Sequence, residues 1–222
     1  MFIKQILKVV VTNTIGLILG LLFNFYTFAA DVTISVTNVT GEPVKNVVIA
    51  LEPTDKSNMP LDPTPQVMDQ IDTQFSPHIL PVQKGANVSF PNSDSVQHHV
   101  YSFSQAKAFE LKLYRDRKPQ PLPFEKEGEV VLGCNIHDWM LGYVYVLDTP
   151  WFAKTGGNGN ATITLPDGQY TLSLYSPLLQ GSDKEIKKAV SINGTSNIKL
   201  NLTSPLLQQL MDYEKGDEFD AY

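Results

Sequence analysis

The stretch Gly133-Cys134-Asn135-Ile136-His137-Asp138-Trp139-Met140 holds the only cysteine of the chain. A histidine follows it at the third position, and a methionine at the third position after that. Thiolate, imidazole and thioether are soft or borderline donors, and their close succession points to a metal ion. Side chains along one strand alternate with a period of two, so this spacing cannot place all three on one face of one strand. It suits a loop that leaves one strand (EVVLG), curls round an ion and enters the next (GYVYV). A fourth donor, His98, comes from the separate stretch PNSDSVQHHVYSF.

The set His98, Cys134, His137 and Met140 narrows the choice of ion. Two imidazoles and a thiolate with a weak axial methionine make the copper electron-transfer geometry. Zinc competes, but structural zinc sites use cysteine and histidine without methionine. Calcium and magnesium take oxygen ligands. Cys134 on its own reads as an inert buried thiol, and its company changes that reading. His99 reads as a strand residue beside the site, with a ligand role as its alternative. His78 reads as a surface residue, and Asn135 and Asp138 as loop-shaping hydrogen bonders. Ile136 and Trp139 either pack against the end of the barrel or form an exposed apolar collar round His137. No Ser-His-Asp spacing, paired-carboxylate motif or second ligand cluster supports an enzyme.

The first thirty residues carry Lys4 and Lys8, then a charge-free apolar run to Ala29-Ala30. This is the pattern of a secretory signal, with Thr27 and Ala29 fitting a cut after Ala29. An uncleaved membrane anchor is the alternative. Either reading exports the remainder, and an exported protein normally uses its cysteines in pairs. Metal ligation protects a lone thiol there from oxidation. The leader holds two lysines and no acid, so without it the net charge moves from −6 to −8. That balance argues against nucleic acid and anionic membrane surfaces as partners, and permits a basic protein partner.

The elements that position the donors are short strands with turn punctuation. Val32 to Pro53 reads as a hairpin about Gly41-Glu42-Pro43. HILPV, ANVSF, HHVYSF, AFELKLY, PLPFE, EVVLG and GYVYVL follow at the regular spacing of a sandwich or Greek-key barrel. ATITLPDGQYTLSLY, KKAVSIN and NIKLNLT supply further strands, and Ser204-Pro205 reads as the start of a short amphipathic helix. Two strands cannot bury a core alone. The hairpin and the late strands therefore read as one split sandwich, with the middle domain inserted between its second and third strands; the alternative is a hairpin that joins the central sheet. The expected divisions are a signal at 1–30, sandwich parts at 31–54 and 149–203, a central domain at 55–148, and a helix with an acidic tail at 204–222.

C-x-x-H-x-x-M followed by x-G-x-V-x-V resembles the ligand loop of amicyanin, a plastocyanin-like cupredoxin. Phe75-Ser76-Pro77, Ile79 to Val82, Gly85 and Val88-Ser89-Phe90-Pro91-Asn92 resemble the framework of that family, and His98-His99-Val100 resembles its H-N-V. Phe124 to Cys134, with Gly128 at a turn, resembles the strand that enters the cysteine. The run from Val96 to Pro150 resembles exported bacterial cupredoxins labelled methylamine utilization proteins, and the flanks resemble carboxypeptidase-regulatory or transthyretin-like sandwiches. Two departures are His99, where the family has asparagine, and Gly133 before the cysteine. The resemblance implies an all-β Greek-key cupredoxin sandwich in or beside a transthyretin-like sandwich. It further implies a periplasmic protein with one type 1 copper ion on Cys134, His98, His137 and axial Met140. Its task would be to carry electrons to or from a c-type cytochrome or a dehydrogenase. Copper trafficking, sensing or storage without redox turnover is the alternative, and an adhesion module stabilised by copper is a third.

Overall fold

The computed structural model describes residues 29–116 and 118–207. The early strands are β1 (Ala29–Thr37) and β2 (Val48–Pro53). A middle series follows: β3 (Gln66–Val67), β4 (Asp69–Ile71), β5 (Gln74–Ser76), β6 (Ile79–Gln83), β7 (Asn87–Ser89), β8 (His98–Phe103), β9 (Ala108–Tyr114), β10 (Leu122–Pro123), β11 (Gly128–Cys134) and β12 (His137–Leu147). The late strands are β13 (Phe152–Lys154), β14 (Asn160–Pro166), β15 (Gly168–Tyr175), β16 (Lys187–Ile192) and β17 (Ser196–Asn201). The fold is all-β, and its one helical element among the described residues is a 3-10 turn at Gly181–Glu185.

β1 and β2 form where alternation places them, but they do not pair as a hairpin. β1 lies between β14 and β17, while β2 lies between β13 and β15 in a different sheet. The turn itself is present: the Asn38 side chain accepts from the Thr40 and Glu42 amides, and Gly41 takes a positive φ of 84°. Pairing then stops after a single bridge, Thr37 to Pro43. Beyond it Thr155 captures the chain. Its hydroxyl donates to the Val44 carbonyl (2.7 Å) and accepts from the Val47 amide (3.0 Å), turning the backbone into the second sheet. Side-chain periodicity cannot report which partner a strand will find.

The β14-β1-β17 sheet packs on the β13-β2-β15-β16 sheet. Val32, Ile34 and Val36 of β1 meet Ile49 and Leu51 of β2 and Leu172 and Leu174 of β15 in one core. The other face of β2 is also buried. Val48 and Ala50 pack against Ile79, Tyr145 and Leu147, so the four-stranded sheet has a second layer behind it. That layer is the five-stranded sheet β6-β12-β11-β8-β9. Its inner side shares a core with Phe75 of β5, Val88 of β7, and the loop residues Phe90 and Phe124. Every ladder made by β3 to β12 runs to another strand of that series. At the seam Lys56 ion-pairs with Glu52 and with Asp148 (2.7 Å).

The helix expected from Ser204 does not begin there. The Ser204 amide donates to Asp183 (2.7 Å), the Leu207 amide donates to the Leu178 carbonyl (2.8 Å), and the Pro205 carbonyl accepts from Gln180 (2.8 Å). The first amides of a helix have no partner within it, so the competing bond is the one to the Pro205 carbonyl, which a first turn would need as an acceptor. The rest of that expected helix and tail, and the leader through residue 28, lie outside the described residues.

Candidate metal centre

β11 ends at Cys134 and β12 begins at His137. The two residues are cross-strand partners about the turn Asn135-Ile136, with a register shift between Gly133 and Cys134. The connection is therefore tighter than a loop curling round an ion. The three-residue spacing places the thiol and the imidazole side by side on two strands. β8 supplies the third donor. Its inward side carries His98, Val100 and Ser102, and the alternation of the strand turns the neighbouring His99 outward. His99 bonds Glu110 there (2.9 Å), while its carbonyl accepts from the Asn135 amide (3.1 Å) and ties the two segments together.

Three donor atoms converge. Cys134 Sγ lies 3.7 Å from His98 Nδ1 and 3.6 Å from His137 Nδ1, and all three atoms lie within 4.8 Å of one another. A tetrahedral ion with metal–sulfur bonds of about 2.3 Å and metal–nitrogen bonds of about 2.0 Å separates such donors by about 3.5 Å. The cluster thus fits a transition-metal ion. Met140 is buried on the inner side of β12, in the same core cluster as Cys134.

The electrostatics suit a thiolate. Burial pushes the Cys134 thiol up, but hydrogen bonds from the His98 side chain, the His99 and Ile136 main chain and the His137 side chain outweigh it. The result is a pKa of about 6. At neutral pH the sulfur is then mostly thiolate, the form that binds metals. Burial pulls the His98 imidazole down, while its bonds to Cys134 and Asp94 raise it further, for a net rise.

The two imidazoles stand in different surroundings. His98 is 0% exposed, with its Nε2 3.0 Å from Asp94 Oδ2. Asp94 Oδ2 also accepts from the Thr73 amide (2.7 Å). Burial raises the Asp94 carboxyl, but the Thr73 amide, His98 and the Ser95 amide hold it below its usual range. His137 is half-buried and lies against Trp139, the two rings tilted by 51° with centroids 5.4 Å apart. Ile136 and Trp139 beside it are 49% and 47% exposed.

Residue patterns alone missed several supports. Asp94 lies four residues before His98, in a loop with no regular period to flag it. His78 is buried rather than a surface residue, because parallel pairing of β6 with β12 brings it to the seam. There its Nδ1 bonds the Leu141 carbonyl (3.1 Å) and its carbonyl accepts from the Tyr143 amide (2.9 Å). The space at Gly133 belongs to Tyr101: a Cβ there would stand 2.8 Å from the tyrosine ring.

No protein-family model and no curated protein matches this chain. Among solved structures, a reduced Cu(I) amicyanin variant is 19% identical, with a TM-score of 0.35, over 45% of this chain and 98% of its own. Amicyanin from Paracoccus versutus is 19% identical, with a TM-score of 0.34, over 45% of this chain and 97% of its own. A copper-containing nitrite reductase from Thermus scotoductus is 21% identical, with a TM-score of 0.36, over 50% of this chain but only 28% of its own. At such scores the likeness carries no functional weight, and the case for a metal stands on the donor cluster.

Proposed function

We propose that this is an exported protein that holds one copper ion on His98, Cys134, His137 and Met140 and carries single electrons between redox partners, without being an enzyme. The observation that carries the reading is the buried thiol set between two imidazole nitrogens, 3.7 Å from His98 Nδ1 and 3.6 Å from His137 Nδ1. One thiolate and two imidazoles, with a thioether in the same core, favour copper over the oxygen-seeking cations and over structural zinc. Bound there, copper would supply a one-electron couple.

The chain's own residues set the terms of that chemistry. Cys134 and His137 stand on adjoining strand ends and His98 at the start of a third, so the donors are held by the sheet rather than by a free loop. Such a frame keeps the donors in place whichever charge the site carries. His137, half-buried, is the donor nearest solvent, and Ile136 and Trp139 give its surroundings an apolar surface. The acidic chain suits a partner with a basic face, such as a c-type cytochrome or a dehydrogenase. The apolar leader supports a periplasmic location, with the mature protein free of the membrane.

A visible spectrum of the copper-loaded mature protein tests this. An intense thiolate-to-copper band that is lost in Cys134→Ser is the expected result. A colourless protein that takes up zinc equally well overturns it. Stopped-flow reduction and reoxidation then test turnover, since tight binding with very slow cycling assigns the protein to storage, sensing or trafficking instead.

A further inference from the structure

Behind the fully buried His98 stands a carboxylate whose position the fold fixes with care. Asn92 folds the approach: its side-chain oxygen accepts from the Asp94 amide (2.9 Å), and its side-chain nitrogen donates to the carbonyls of Val96 (2.9 Å) and Tyr114 (3.0 Å). This loop is bound to the β4–β5 hairpin without Asp94's help. The Ser93 hydroxyl and amide donate to Asp69 (2.7 and 3.2 Å), and the Ser93 amide also donates to the Gln70 carbonyl (3.1 Å). Asp94 is thus not needed merely to tie the loop down. Its Oδ2 is aimed at His98 Nε2 and steadied by the Thr73 amide.

Metal-bound histidines commonly give their second N–H to a carboxylate, which fixes the ring and makes its free nitrogen more basic. In most such sites every imidazole has some backing group. Here only one does so through a carboxylate: among the described residues no acid stands within ion-pair reach of His137. Negative charge is therefore concentrated behind the imidazole that water cannot reach. A side chain only 11% exposed screens little of that charge.

We propose that Asp94 is a positioning residue that turns His98 Nδ1 towards Cys134 and biases the site towards the more highly charged of two competing ions. The proposal rests on His98 being a metal ligand and deepens the reading above. Its consequence is a preference for divalent over monovalent metal, and for Cu(II) over Cu(I), beyond what the four donors alone confer.

The test compares wild type with Asp94→Asn and Asp94→Ala, using Zn(II) and Ag(I) as colourless probes of the two charges. The asparagine oxygen still accepts from Nε2–H, so Asp94→Asn removes the charge and keeps the ring in place. Its Zn(II)-to-Ag(I) affinity ratio should fall about tenfold or more, within the range for lost backing groups. The copper potential should rise in step, by about 59 mV for each tenfold change in the Cu(II)-to-Cu(I) ratio. Asp94→Ala removes the bond as well, so the slowly exchanging His98 Nε2–H proton seen by NMR in the Zn(II)-loaded wild type should be lost. An unchanged affinity ratio in Asp94→Asn overturns the proposal. So does the absence of a protected Nε2–H proton in the Zn(II)-loaded wild type, a measurement that needs no variant to fold. If copper gives no thiolate band while Zn(II) still binds, the copper reading fails, and the Zn(II)-to-Ag(I) ratio still decides the role of Asp94.

Discussion

The flanking sheets and the donor cluster both bury polar side chains, but they use them differently. In the flanking sheets those groups face the backbone. Thr155 bonds the main chain of Val44 and Val47, Thr149 bonds the Leu51 carbonyl, and Asp183 accepts from the amides of Thr203 and Ser204. Each such group satisfies a main-chain donor or acceptor that burial would otherwise strand. Within the donor cluster the polar side chains face one another: His98 with Cys134, Cys134 with His137, and His98 with Asp94. A scaffold spends its polar groups on the chain path, whereas a site holds donors in reserve.

That contrast predicts that substitutions in one half cost stability and in the other cost metal. Cys134→Ser should have the largest effect, abolishing the thiolate-to-copper band. Its thermal midpoint in the metal-free state should stay close to wild type, and a collapse of the apo fold would blur the distinction. Thr155→Val should destabilise by about 2–4 kcal/mol, since it leaves a buried carbonyl and a buried amide without their partner. Denaturant unfolding checks this, and the copper spectrum of the surviving folded protein should be unchanged.

Asp183 gives the pH-dependent version. Burial raises its carboxyl, and the Ser204 and Thr203 bonds more than reverse this, so its folded pKa is depressed. A depressed carboxylate stabilises the fold fully above its unfolded pKa of about 3.9 and loses that contribution as pH falls through the folded value. Asp183→Asn should cost about 2 kcal/mol at pH 7 and flatten the acid limb of the stability curve below about pH 4. An acid limb identical to wild type would remove Asp183 from the scaffold. The smallest effect belongs to Trp139→Ala, which should slow electron exchange with a protein partner several-fold and leave the copper spectrum almost as it was. Transfer kinetics that do not change would assign Trp139 to packing alone. The division of the chain can be broken in the same spirit. We propose that 31–54 and 149–203 form one split sandwich round 55–148. A limited digest yielding a folded central fragment beside disordered flanks would refute it.

Much of this arrangement was legible from residue order. The alternation of Val32, Ile34 and Val36 foretold a strand with one buried face, and ATITLPDGQYTLSLY foretold β14 and β15. The donors that the structure gathers, Cys134, His137 and His98, were visible because chemistry restricts which residue types serve a metal. What stayed hidden depended on distant partners. β1 and β2 lie either side of a genuine turn signal, yet Thr155 separates them. His78 looked exposed because nothing nearby in sequence announces its place beside Leu141. The need for glycine at 142 is set by a distant partner as well, since a Cβ there would stand 2.8 Å from the Cβ of Phe75. Ser204-Pro205 carried the local chemistry of a helix start, and the 178–183 loop claimed those backbone groups first.

The pairing of β1 has a consequence for the order of assembly. Ser35 lies opposite Asn160, and Thr37 opposite Asn201. In a chain that emerges from its N terminus, the first strand described is thus among the last to gain both neighbours. Long closures of this kind slow folding, whereas β3 to β12 need only one another for their ladders. A nascent chain can hence close the sheet that carries its donor cluster while β1 still waits for β14 and β17.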